Sequence, residues 1–140
     1  MSAPAVEFDR ISCTFVSRDV PGQRYTAVSD VSLAVGAGEF VSVVGPTGCG
    51  KSTLLNVAAG LLEPSSGSLR VFGEPLSGIN RRAGYMFQTD ALMPWRSAID
   101  NVIAGLQFRA VEPGEALRQG EEWLRRVGLG GFGDRYPHQL

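Results

Sequence analysis

The chain is poor in the residues that build the commoner kinds of site. Its 140 residues include one histidine, His138, and two cysteines, Cys13 and Cys49. Two thiols so far apart, with a single imidazole, exclude a zinc site of the usual ligand spacing and a disulfide framework. A basic excess is also missing: 13 Lys and Arg stand against 14 Asp and Glu, a net charge of −1. That balance argues against a nucleic-acid partner, which calls for a basic face. The basic doublets Arg81-Arg82 and Arg125-Arg126 read as solvated surface. No apolar run approaches the roughly 20 residues of a membrane-spanning helix. The first ten residues carry Glu7 and Asp9 and no basic segment ahead of an apolar core, so they are no secretory signal. Internal repeats and low-complexity tracts are absent. Together these absences predict a cytoplasmic chain of at most one domain's length.

Glycine, by contrast, is plentiful, and residues 45–53 gather three of the 18 in Gly-Pro-Thr-Gly-Cys-Gly-Lys-Ser-Thr. This is a complete G-x-x-x-x-G-K-[ST] phosphate-binding loop. Its neighbours supply the context the motif needs. Residues 39–44 form a short apolar, β-rich run that reads as a buried strand, and Leu54, Ala58 and Leu61 recur at helical spacing. The residue types follow from a triphosphate ligand. Gly45, Gly48 and Gly50 let backbone N–H groups approach phosphate oxygens closely, with Pro46, Thr47 and Cys49 completing the loop. A helix starting near Lys51 adds unpaired N–H groups and the positive end of its dipole. Lys51 supplies a mobile charge for the β and γ phosphates, Ser52 a hydroxyl for Mg²⁺, and Thr53 a donor toward the α phosphate. The expected ligands are therefore ATP or another nucleoside triphosphate, with Mg²⁺. Cys49 is either a thiol open to alkylation or an inert small loop residue.

Elsewhere the pattern predicts a strand over residues 6–15, a polar hairpin loop over 17–24, and a half-buried strand at Val31, Leu33 and Val35. Residues 63–67 break the phosphate-loop helix. Further strands are expected over 68–72 and 83–87, with a turn over 73–78 between them and a loop over 88–95. From Ser97 the pattern becomes helical: one helix over residues 98–109, then a second from Pro113, tolerated in the first turn, to Gly128. Leu117, Leu124 and Val127 form the expected apolar stripe of the second helix, with Glu121, Glu122, Arg125 and Arg126 toward water. Trp123 reads as core. Gly120 inside that helix costs about 1 kcal/mol relative to Ala.

The loop is shared by several classes, and other residues choose among them. The D-x-x-G at Asp19 precedes the loop and N-K-x-D is absent, which does not suit a GTPase; Gly48-Cys49-Gly50 is followed by Lys51-Ser52-Thr53, with threonine where a dinucleotide fingerprint needs its third glycine. Gly38-Glu39-Phe40, the loop with Leu54-Leu55, Ala59-Gly60-Leu61 and Pro64-Ser65-Ser66-Gly67 resemble the ATP-binding subunit of ABC transporters. Met86-Phe87-Gln88, followed by residues 91–95, resembles that family's Q-loop. Met93-Pro94-Trp95, Asp100-Asn101-Val102 and residues 136–140 are most similar to importers of the nitrate, sulfonate and taurine group. The resemblance covers nearly the whole chain.

It implies an α/β fold of the P-loop NTPase, ABC type: an N-terminal antiparallel β subdomain and a parallel sheet with the phosphate-loop helix, followed by part of a helical subdomain. The ATP-binding core would cover residues 1–96 and the partial helical subdomain 97–140. Gln88 would contact Mg²⁺ and the attacking water and relay nucleotide state, beside Lys51 as the other catalytic group; otherwise it is a surface loop amide. Phe15 would stack on adenine, with Tyr25 the runner-up and a core role the alternative. The implied partners are a membrane permease, met through the Q-loop and helical region, a second ATPase subunit in a homodimer, and indirectly a periplasmic or surface solute-binding protein. The chain would then sit peripherally on the inner face of the cell membrane. An ABC ATPase of translation or DNA repair fits the acidic balance and the Met93-Pro94-Trp95 loop less well.

The resemblance also marks what these residues do not contain. Leu140 falls on the first letter of the family's L-S-G-G-Q signature, and no hydrophobic run ending in Asp-Glu follows Gln88. His138 lies in the lead-in to the signature and is not the family's switch histidine. The expectation for this fragment is weak ATP binding, background hydrolysis, and an open sheet edge with exposed apolar surface.

Overall fold

The computed structural model describes residues 3–17, 20–89 and 91–140. They form two compact units, residues 1–86 and 87–140. In the first, β1 (Val6–Val16), β2 (Arg24–Val35), β3 (Ser66–Val71) and β4 (Glu74–Pro75) make an antiparallel sheet in the order β2-β1-β3-β4. Helix α1 (Lys51–Ala58) covers it. The β1–β2 hairpin closes through Gln23, whose carbonyl accepts from Ser17 N–H at 2.7 Å; Arg18 and Asp19 of the expected loop lie outside the described residues.

The inward residues of β1 change phase. Phe8 is buried, then Ile11 and Cys13, so two outward residues, Asp9 and Arg10, stand together. A strand can do this only through a bulge. The register slips between Phe8 and Ile11, and Arg10 takes a left-handed φ of 49°. Opposite it Asp30 does the same at φ 51°. The displaced amides are satisfied by hydroxyls across the strands: Arg10 N–H donates to Ser32 Oγ and Asp30 N–H to Ser12 Oγ, each at 3.0 Å. Phe8, Ile11, Cys13, Val28 and Leu69 then face Leu54 and Val57 of α1 in one core. Burial pushes the Cys13 thiol above its ordinary pKa, against a smaller opposing effect of a Ser65 backbone hydrogen bond.

Asn80, the buried polar residue of this unit, finishes α1. Its Nδ2 donates to the Ala58 carbonyl at 3.0 Å, its backbone N–H to Ala59 O at 2.9 Å, and its Oδ1 accepts from Arg82 N–H at 3.1 Å. Helix carbonyls that have no partner within the helix are thereby satisfied.

Two expected strands are not formed. Residues 39–44 and 83–87 have a strand's sequence pattern but enter no ladder among the described residues. Phe40 and Met86 are each 93% exposed and Val44 84%, so the apolar pattern is real and uncovered. The expected turn over 73–78 also holds a strand, β4, paired with β3.

The second unit is a helical pair, α2 (Ala98–Phe108) and α3 (Pro113–Arg126). The buried residues of α3 are Ala116, Gly120 and Leu124, spaced by one turn, rather than the stripe through Leu117 and Val127, both of which are exposed. Gly120 explains the shift. A Cβ there would run into Ile103 and come within 2.7 Å of Ile99 Cδ1, so the glycine permits the close approach of α2. Trp123 is not core: it is 55% exposed, with the Arg126 guanidinium 5.0 Å above its ring. No helix among the described residues is long and apolar enough to cross a membrane.

Candidate functional site

The site is the junction between the residue 39–44 segment and α1. Gly48 at φ 81° and Gly50 at φ 93° bend the loop through the left-handed region that side chains avoid. Gly50 is doubly constrained, since a Cβ there would overlap the Ala27 carbonyl of β2 and approach Val28 Cγ2 to 2.9 Å. The loop is thus pressed onto the sheet at its last glycine. At Gly45 a Cβ would lie 2.7 Å from Cys49 Sγ, which closes the loop across its mouth. Cys49 itself is exposed.

Gly50 is also the N-cap of α1. No side chain caps this helix and no acidic residue stands in its first turn. Its leading N–H groups, and the positive end of its dipole, are left without a capping side chain at the loop. Lys51 folds back over the loop: its ammonium donates to the Gly45 carbonyl at 2.9 Å and the Pro46 carbonyl at 2.6 Å, and lies 3.6 Å from Cys49 Sγ. These acceptors are neutral. A phosphate oxygen offers a charge-assisted bond roughly twice as strong, so the ammonium can exchange loop carbonyls for phosphate. Ser52 is exposed and Thr53 half-buried just behind. Curved backbone donors, an uncapped helix start and a cation held by two loop carbonyls and the Cys49 sulfur suit a polyphosphate.

Val28, Val31, Leu33, Val41, Val43 and Leu54 line an open apolar trough of about 600 Å³ beside Lys51. Among the described residues, no group of three or more His, Cys, Asp or Glu could hold a metal ion.

Phe15 and Tyr25 are register partners across the β1–β2 hairpin, with ring centroids 5.6 Å apart. Phe15 packs partly against the core, while Tyr25 is 56% exposed. The two aromatics weighed in the sequence therefore form one tilted pair. Gln88 belongs to the second unit, where it is exposed; Asp90 of its loop lies outside the described residues. Two asparagines have structural duties that the sequence pattern did not assign to them. Asn80 is one. The other is Asn101, whose side chain bonds the backbone at Met93, Arg96 and Ser97.

Comparison with known proteins gives one consistent answer. The family described as ABC transporter matches residues 28–140. The chain is 44% identical over 136 residues to the taurine import ATP-binding protein TauB of Chromobacterium violaceum, covering 97% of this chain and 50% of that protein. It is 42% identical to TauB of Mesorhizobium japonicum, covering 98% of this chain and 51% of that one. Among solved structures it resembles the ATP-binding cassette MJ0796, captured as a dimer in a post-hydrolysis state with ADP and Pi. The TM-score is 0.84 at 28% identity, over 96% of this chain and 62% of that one. The chain spans about half the length of the curated relatives it matches.

Proposed function

The chain belongs to the ABC transporter family, and on that premise we propose that it is the nucleotide-holding part of an importer's ATP-binding subunit. The observation that carries this reading is the uncapped N-terminus of α1 with Lys51 resting on the Gly45 and Pro46 carbonyls. Gly45, Pro46, Thr47, Gly48, Cys49 and Gly50 wrap the phosphates of ATP, Lys51 neutralises them, Thr53 adds a donor, and Ser52 holds Mg²⁺. ATP supplies the free energy of phosphoryl transfer. Adenine stacks at the hairpin end of β1 and β2, on the Phe15–Tyr25 pair. Gln88 completes the metal and water contacts and relays nucleotide state.

The solute is taurine or a similar small sulfonate, or nitrate; the names of the taurine-importing relatives favour the first. The permease docks on the residue 88–95 loop and the helical unit, a second subunit completes a dimer, and a solute-binding protein delivers cargo to the permease. Attachment to the permease places the subunit on the inner face of the membrane. For the 140 residues alone a second reading applies: nucleotide is held without efficient turnover. It is favoured by the residues after Gln88, among which no hydrophobic run ends in the Asp-Glu pair that would hold the metal and activate water. Steady-state phosphate release from this chain should match that of its Lys51→Ala variant. Release well above the variant would refute the second reading.

A further inference from the structure

The loop ahead of α2 is fastened to that helix by one side chain. Asn101 Nδ2 donates to the carbonyls of Met93 and Arg96, each at 3.1 Å, and of Ser97 at 2.9 Å. Its Oδ1 accepts the Met93 N–H at 2.8 Å. Three carbonyls sharing the two N–H groups on one side, and an N–H donor on the other, fix which way the amide points. Arg96 adds a second tie along the helix: its backbone N–H donates to Met93 O at 3.1 Å, and its guanidinium reaches the Asp100 carbonyl at 3.4 Å and Gln107 Oε1 at 3.2 Å. Asparagine is a poor residue for a helix interior because its amide competes for backbone groups. Here that competition is turned outward, onto the loop.

What the tie holds is exposed. Trp95 is 74% exposed on the loop, and Phe108 83% and Val102 39% on α2. A surface loop is ordinarily the most mobile part of its neighbourhood. We propose that Asn101 is a positioning residue: it joins residues 93–97 to α2 as one rigid piece, so that a displacement delivered to Met93 from the Gln88 side moves Trp95 and the outer face of α2 together. This rests on the reading of Gln88 as the group that senses nucleotide. Cutting the tie should separate the two ends: nucleotide would still bind, and the message would not arrive.

The test uses the 140-residue chain with Trp123→Phe, which leaves Trp95 as the single indole. Mg·ATP is titrated while Trp95 fluorescence and amide hydrogen exchange are followed. Asn101→Ala should raise exchange at Met93 by at least about tenfold. It should leave the Kd for Mg·ATP within about twofold of the parent, and remove the nucleotide-dependent change in Trp95 emission. Asn101→Asp keeps the acceptor for Met93 N–H and loses the donors, so it should protect that amide yet weaken the Trp95 response; it also serves if Asn101→Ala does not fold. An undiminished Trp95 response in Asn101→Ala overturns the proposal, as does a parent that binds Mg·ATP with no change at Trp95. Failure of the parent to bind Mg·ATP would instead refute the nucleotide reading. In that case unchanged Met93 exchange in Asn101→Ala would overturn the tie as well, while a rise would uphold it.

Discussion

Helices α1 and α2 begin in opposite ways. α2 opens on Ser97, whose Oγ accepts the Asp100 N–H at 3.2 Å and donates to Asp100 Oδ2 at 2.7 Å. The N–H groups of Ala98 and Ile99 are taken by the Arg135 and Gly133 carbonyls at 2.7 and 2.9 Å. α3 is similar, with the Glu112 carboxylate accepting from Gly114 and Glu115 N–H. α1 opens on Gly50, with no capping side chain and no acid in its first turn. A helix start satisfied from within is scaffolding, whereas one left unsatisfied beside a lysine is a place for an anion.

The comparison can be broken at each kind of start. The largest effect is expected at the open one. Gly50→Ala forces a Cβ onto the Ala27 carbonyl at φ 93° and should cost about 2–4 kcal/mol in urea unfolding. Gly48→Ala meets nothing within 4 Å and should cost only the left-handed backbone term, about 1 kcal/mol. Equal costs would mean that the loop is not pressed on β2 as described. At a closed start, Ser97→Ala should lower stability by about 1 kcal/mol and leave Mg·ATP affinity alone. A loss of affinity there would erase the distinction between the two kinds of helix start.

The smallest effect is electrostatic. Hydrogen bonds from Arg118 and Gln119 hold the Glu115 carboxyl down at about 2, from an ordinary 4.5. Backbone N–H groups lower Glu112, and Arg126 with Arg125 lowers Glu122. A carboxyl depressed by folding contributes fully above its unfolded pKa and loses that contribution as pH falls through the folded one. The helical pair should therefore lose a little stability between about pH 4.5 and 2. Because these groups are exposed, the change is small. Urea midpoints across that range should fall less in Glu115→Gln than in the parent.

How legible all this was in the sequence depends on whether a residue's job is local. The phosphate loop was fully legible, because its glycines and lysine answer to a ligand and to backbone geometry within a few residues. The helix starts at Ser97 and Pro113 were legible for the same reason. Residues 39–44 and 83–87 have a strand's pattern, but a strand also needs a neighbour to pair with, and none of the described strands supplies it. Trp123 looked like core by composition, yet Gly120 sets the face of α3 that meets α2, and the tryptophan falls at its rim. The duty of Asn80 was invisible because its partners are backbone groups of a distant segment, and Asn101 entered only through a resemblance that says nothing of the loop carbonyls it binds. The slip of β1 from Phe8 to Ile11 was available in the spacing, but the hydroxyls that make it affordable, Ser12 and Ser32, were not.

The most direct test of the account is calorimetric titration of Mg·ATP into the 140-residue chain and its Lys51→Ala variant. The account predicts binding by the parent and a loss of at least about thirtyfold in affinity, or about 2 kcal/mol, in the variant, with the melting temperature of the free chains little changed. Equal affinity in the two, or no binding to either, would contradict the assignment of the α1 start as the nucleotide site.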